Sequence, residues 1–122
     1  ALELSPRMNE LRIERTGQFG SLEPRIATPL ALVITELIHN ALEHGLAHEG
    51  LALGIHVSST ASELSVTISD DGVGFPEGFD IATSPNLGLQ IVRTLTENEL
   101  RGNLSLETDE KETRAVLTFP SV

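Results

Sequence analysis

The sequence predicts an α+β fold, a two-layer sandwich with helices on one face of a mixed, mostly antiparallel sheet. Three observations carry that expectation. Thr28 to Gly45 is an apolar rod whose polar residues recur at helical spacing along one flank. Short apolar segments later in the chain fall into pairs, each pair separated by a few turn residues. The resulting order is strand, helix, strand, strand, loop, helix, strand, strand. It favours hairpins over the long crossovers of a doubly wound parallel sheet.

Taken in order, Leu11 to Thr16 (Leu-Arg-Ile-Glu-Arg-Thr) alternates apolar and polar residues, which predicts a half-buried strand. Gly17 and Gly20 punctuate the stretch after it. The first helix is expected to open with Thr28 as N-cap and Pro29 in the first helical position, and to stop at Gly45. Its inward face reads as Leu30, Ile34, Leu37, Ile38 and Ala41. Burying a large side chain of this kind is worth roughly 1.5–3 kcal/mol, enough to pin the rod to a sheet.

Leu51 to Ser58 and Leu64 to Ser69 predict a hairpin, joined near Ser59 to Ser62. Leu53, Ile55 and Val57 face inward from one strand, and Leu64, Val66 and Ile68 from the other. From Gly72 to Pro85 the chain is rich in Gly, Pro and polar residues and reads as a surface loop. A second helix runs to about Leu100, with Leu89, Val92 and either Leu95 or Ile91 inward. It starts either at the Ser84-Pro85 pair or later, near Gly88, and Arg101-Gly102 ends it. Asn103 to Thr108 and Thr113 to Phe119 close the chain as a second hairpin, turning at Asp109 to Glu112.

The chain of 122 residues fits one domain, 1–122, with 1–10 readable as the tail of an upstream domain. It begins at Ala1 with no Met, so it reads as a piece of a longer protein. Acidic residues outnumber basic ones 18 to 8, for a net charge of -10. That balance opposes nucleic-acid binding, which relies on Lys and Arg to release counterions. Aromatics are 3 %, with no Trp or Tyr, so base-stacking platforms are missing too. A triphosphate bound here would need backbone N–H groups, a helix dipole and a metal ion. The chain has no Cys, which excludes disulfides and thiolate metal sites. No run approaches the length of a membrane span and no signal pattern opens the chain, so the expectation is a cytoplasmic protein without direct membrane contact.

Three motifs carry chemistry. Glu36, Asn40 and His44 follow one another at i, i+4 on one helix flank. Asn is a poor helix former, but its amide oxygen is a hard ligand that suits Mg²⁺ without adding charge. A glutamate one turn earlier is placed to orient or deprotonate an attacking group. Next, Asp70-Asp71-Gly72-Val73-Gly74 puts a carboxylate at a strand end, where it can accept a hydrogen bond from an adenine amine. Gly72 and Gly74 let the backbone pass close to a base. Last, Asn86-Leu87-Gly88-Leu89 opens a helix whose N–H groups can meet phosphate. No Walker Gly-Lys-Ser/Thr occurs, and His39, His48 and His56 fit no metal-ligand spacing.

In this order and on these elements, the motifs resemble the GHKL (Bergerat-fold) ATPases, and within them the catalytic ATP-binding domain of a sensor histidine kinase. Glu36 with Asn40-Ala41-Leu42-Glu43-His44 is similar to the N box, and Asp70 to Gly74 to the G1 box. Leu87-Gly88-Leu89-Gln90-Ile91-Val92 is similar to the G2 box, and Thr113 sits where the family places a threonine near adenine. The resemblance spans about Leu11 to Pro120. It is nearest the HWE-type kinases and the soluble GAF–PAS sensor kinases of actinobacteria.

The resemblance implies ATP and Mg²⁺, with Glu36 catalytic and Asn40 holding the metal. It implies nucleotide contacts from Asn40, His44, Asp70, Gly72, Gly74, Leu87, Gly88, Leu89 and Thr113. It further implies γ-phosphoryl transfer to a histidine of an upstream dimerisation domain, a response-regulator receiver domain as partner, and a homodimeric parent. Three features depart from the pattern. Glu43 stands where many relatives carry Lys or Arg, the G2 run lacks its earlier glycines, and there is no phenylalanine-rich F box. Phe75 and Phe79 read as lid or packing residues. Glu43 also suits an anti-sigma-factor-type serine kinase of the same fold, and the eroded G2 run suits a non-catalytic binding module.

Overall fold

The apolar stripe of the first helix runs further towards the N-terminus than Thr28. A computed structural model describes residues 12–46 (44–46 by backbone alone), 52–72, 80 and 86–121. In it, α1 spans Pro24–Asn40 and continues through a wider π turn, Ala41–Leu46. Glu23 is the N-cap and Pro24 takes the first helical position. The Glu23 carbonyl accepts from the N–H groups of Ile26 at 2.9 Å and Ala27 at 2.8 Å. The expected Thr28–Pro29 start is thereby corrected: Pro29 lies inside the helix and is buried. A proline there removes one i→i−4 bond and crowds a carbonyl. Packing offsets this, because Ile26, Leu30, Val33, Leu37 and Ala41 form one continuous stripe against the core. Val33, absent from the expected inward face, is fully buried, while Ile34 and Ile38 flank the stripe and are half-buried.

Pro24–Glu43 is long and apolar enough to cross a membrane, contrary to the reading that no run approaches that length. One side of it is the stripe packed on the sheet.

The sheet contains β1 (Arg12–Thr16), β2 (Ala52–Ser59), β3 (Glu63–Asp70), β4 (Asn103–Thr108) and β5 (Thr113–Pro120), in spatial order β1-β2-β3-β5-β4. Among the described residues, β1 pairs with β2 in parallel, and β2–β3, β3–β5 and β4–β5 pair antiparallel. The two expected hairpins are both present. β1 is exposed along its whole length and Ile13 is 60 % exposed, so the half-buried reading is corrected. Among the described residues this strand is an edge, paired with β2, whereas the buried helix residues cluster with Val66, Ile68 and Leu117 of the central strands β3 and β5.

On β3, Leu64, Val66, Ile68 and Asp70 share the buried face, as alternation requires. Register places Asp70 between Leu53 on β2 and Thr113 on β5. The core face of the sheet therefore ends in a carboxylate and a hydroxyl.

The second helix, α2, spans Leu87–Thr94 and continues as a π stretch, Leu95–Glu99. Asn86 is its N-cap and accepts from the Leu89 N–H at 3.0 Å, which resolves the start between the two positions considered. Leu89 and Val92 are buried, and Leu95 rather than Ile91 completes the inward face. Arg101 turns the chain in the left-handed region at φ 55, a role usually given to glycine. Gly102 comes next because β5 passes too close for a side chain. A Cβ there would overlap the Thr118 carbonyl oxygen and lie 2.7 Å from Phe119 Cβ. The readings at residues 1–11, His48, Leu51, Gly74, Phe75, Phe79, Ser84 and Pro85 lie outside the described residues.

Gly102→Ala should lower the unfolding free energy by about 1–3 kcal/mol, the usual scale for overpacking. The urea midpoint measures this. An unchanged midpoint would mean that β5 does not approach Gly102 as closely as described.

Candidate functional site

Asp70 is the buried carboxylate at the end of β3, 8 % exposed. Its Oδ1 accepts from the Gly72 N–H at 2.9 Å, so the Asp-Asp-Gly turn closes on its own first residue. Burial holds the Asp70 carboxyl above the ordinary carboxylate range. The Gly72 N–H works against that shift, and the charges of Asp71 and Glu112 add to it. Asp71 does different work: its Oδ1 accepts from the Ala52 N–H at 2.9 Å, and its own N–H donates to the Ala52 carbonyl at 3.3 Å. It clamps the start of β2 to the end of β3.

Asn40, Asp70 and Thr113 line one narrow cavity of about 20 Å³, closed by Leu37, Ala41, Ile68 and Ala115. Thr113 is 6 % exposed. Three of the residues singled out from the sequence are therefore brought together from α1, β3 and β5.

Beside it lies a cleft of about 110 Å³ lined by Glu36, His39, Asn40, Glu43, Asn86, Gly88 and Leu89. Asn40 borders both spaces. Glu36, Asn40 and Glu43 follow the helical flank of α1, and the first turn of α2 forms the opposite wall. A Cβ built on Gly88 would lie 2.5 Å from Glu36 Oε2 and 3.2 Å from Asn86 Oδ1.

The sequence reading did not name Asn86, His39 or Glu43 as residues lining a site, although Glu43 stood in the N-box-like run and as a departure from the usual Lys or Arg. A signal for His39 was available, since it stands four residues before Glu43; their side chains meet at 3.3 Å. Leu87, expected at the nucleotide, is 73 % exposed and does not line the cleft. Only its backbone can serve there. Gly74 and the His44 side chain lie outside the described residues. Glu36 and Glu43 make the cleft acidic, so a polyphosphate would need cations to enter it. Asn40 and Glu36 offer oxygen donors, the ligand type that a hard divalent ion prefers.

Residues 26–122 match the model of the family described as histidine kinase-, DNA gyrase B- and HSP90-like ATPase. The sensor histidine kinase PdtaS of Mycobacterium tuberculosis is 45 % identical over 114 residues, covering 90 % of this chain and 23 % of the relative. The chain thus spans about a quarter of that protein's length. Among solved structures, the histidine kinase domain of the Erythrobacter litoralis blue-light-activated kinase EL346 superposes with a TM-score of 0.81 at 26 % identity, covering 92 % of this chain and 55 % of that one. Histidine kinase ThkA, solved in complex with the response regulator protein TrrA, superposes with a TM-score of 0.77, covering 95 % of this chain and 36 % of that one. At 23 % identity that likeness speaks to the fold alone. The expected α+β architecture is the one these catalytic domains share.

Arg114 closes the β4–β5 turn next to Thr113. Its Nη1 donates to Asp109 and Glu112, both at 2.9 Å, and its Nε to Glu107 at 3.2 Å. Asp109 also accepts from the Lys111 and Glu112 N–H groups. The Arg114 bond, with those two N–H groups, holds the Asp109 carboxyl down at about 2. A depressed carboxylate stabilises the fold above its unfolded pKa, near 3.8, and the contribution is lost as pH falls through about 2. Asp109→Asn should therefore flatten the decline of Tm across that window. Because the pair is exposed, 1 M salt should shrink the difference. Parallel Tm-against-pH curves for the two proteins would remove this role.

Proposed function

The chain belongs to the histidine kinase-, DNA gyrase B- and HSP90-like ATPase family, and from that premise we propose that it is the catalytic ATP-binding domain of a sensor histidine autokinase. The observation that carries the reading is Asn40, a single side chain bordering both the Asp70–Thr113 cavity and the Glu36–Gly88 cleft. A nucleotide laid across that boundary puts its base at one end and its phosphates at the other.

In this reading Asp70 accepts a hydrogen bond from the adenine amine, with Thr113 beside it and Gly72 leaving room for the ring. The raised pKa of Asp70 is the consequence of burying the group that reads the base. The N–H groups at the start of α2 face the phosphates, with the helix dipole behind them. Asn86 already occupies the Leu89 N–H, which leaves Leu87 and Gly88 for that task. Leu89 contributes apolar wall, and His44 is kept in the nucleotide set by its place in the N-box-like run of the sequence.

Asn40, with Glu36 close by, would hold Mg²⁺. The bound ion would neutralise phosphate charge that two cleft carboxylates otherwise repel. Glu36 orients the attacking imidazole, or takes its N–H proton, as the γ-phosphoryl group passes to nitrogen. Catalysis is then mostly positioning and charge neutralisation, as is general for phosphoryl transfer.

The relative PdtaS is much longer than this chain. We place the acceptor histidine in a dimerisation domain of the parent protein, the next recipient in a response-regulator receiver domain, and the whole in a cytoplasmic homodimer.

Mg-ATP at about 100 times its Kd should stabilise this chain by about 2.7 kcal/mol, and no stabilisation would overturn the reading. Asp70→Asn keeps an oxygen for the Gly72 N–H and removes a buried charge. The free domain should melt no lower at pH 7, while ATP binding weakens by about tenfold to a hundredfold, the scale of one charged hydrogen bond. A variant that binds as tightly as the parent would dismiss Asp70 from the base. Asn40→Ala should abolish the Mg²⁺ dependence of binding in a titration with a fluorescent ATP analogue; retention of that dependence would place the metal elsewhere.

A further inference from the structure

Gly88 is not demanded by its backbone. It sits in the first turn of α2, outside the left-handed glycines of this chain, which are Gly17 and Gly20 among the described residues. In a helix, glycine is less stable than alanine. The reason for it must lie in the space beside it.

That space is occupied from within the protein. A Cβ at Gly88 would fall 2.5 Å from Glu36 Oε2, far inside contact distance, and 3.2 Å from the Asn86 Oδ1 that caps α2. Glu36 comes from α1, 52 positions away in the sequence, and both residues line the same cleft. Asn86 and Leu89 border that cleft too, and Asn86 is anchored by its bond to the Leu89 N–H. A side chain at 88 can be accommodated only if the Glu36 carboxylate moves, because the cap on the other side is fixed.

We propose that Gly88 is a positioning residue: it leaves a seat, one Cβ wide, in which the Glu36 carboxylate rests against the first turn of α2. The proposal builds on the reading of Glu36 as the group that orients or deprotonates the attacking imidazole. It assigns Gly88 a task separate from phosphate approach. In the seat, the carboxylate is held against the first turn of α2. A fixed carboxylate is what aligning an imidazole N–H requires. A displaced one binds nucleotide equally well but turns over slowly.

The test is autophosphorylation by the full-length kinase carrying Gly88→Ala, Glu36→Asp, both together, or Glu36→Ala, with kcat and KM for ATP measured separately. Gly88→Ala should lower kcat by about tenfold or more, the scale of an ångström-level misplacement, with KM for ATP changed by less than about threefold. Aspartate is one methylene shorter and withdraws from the new methyl group. The double variant should therefore be no slower than Glu36→Asp alone, a coupling that a general loss of structure would not produce.

A large rise in KM with kcat intact would assign Gly88 to the phosphates and overturn the proposal. Additive losses in the double variant would overturn it as well. Wild-type turnover in Glu36→Ala would instead remove the role of Glu36, and the proposal with it. Circular dichroism and the Mg-ATP shift in Tm verify that each variant is folded and loaded.

Discussion

Everything at the site depends on the contact between the α1 stripe and the central strands. Leu30, Val33, Leu37 and Ala41 are pressed against Val66, Ile68, Ala115 and Leu117, at roughly 1.5–3 kcal/mol for each large side chain buried. With that face held, the rotation of the helix is set. The flank carrying Glu36, Asn40 and Glu43 then lines the cleft that faces the first turn of α2. A slip of one residue would turn the flank by about 100° and break the site without unfolding the helix.

The sheet supplies the other half by ending its buried face in polar groups. Alternation along β3 reaches Asp70 on the same side as Val66 and Ile68, and the β5 register sets Thr113 opposite. Burying a carboxylate is unfavourable, and the raised pKa of Asp70 records that. The Gly72 N–H offsets part of it. A purely structural strand end would favour an apolar residue at this point. A buried carboxylate at this point suits the contact with a base proposed for it.

Charge bears on the proposed phosphate end. The chain is acidic throughout, and the cleft repeats that bias with Glu36 and Glu43. Glu43 meets His39 across one helical turn at 3.3 Å. In the proposed reading, anion recognition would fall to the first turn of α2 and to a cation.

Thr113 was legible only through the family resemblance, whereas periodicity and turn chemistry made most of the architecture readable: both helices, both hairpins, the sharp end of β3 at Asp70-Asp71-Gly72, and the candidates Glu36, Asn40, Asp70 and Gly88. These are local properties, encoded within a few residues, and sequence alone determined them. Tertiary structure decided what faces what. It pulled the start of α1 back to Pro24, because burying Ile26 outweighs a proline inside the helix. It left β1 exposed at the edge, turned Leu87 outward, and brought Asn86 to the wall of the cleft. It joined Asn40 to Asp70 across two layers, and set Gly88 against Glu36. Such pairings are distant in the chain, and helical spacing can say that residues share a flank but not what that flank meets.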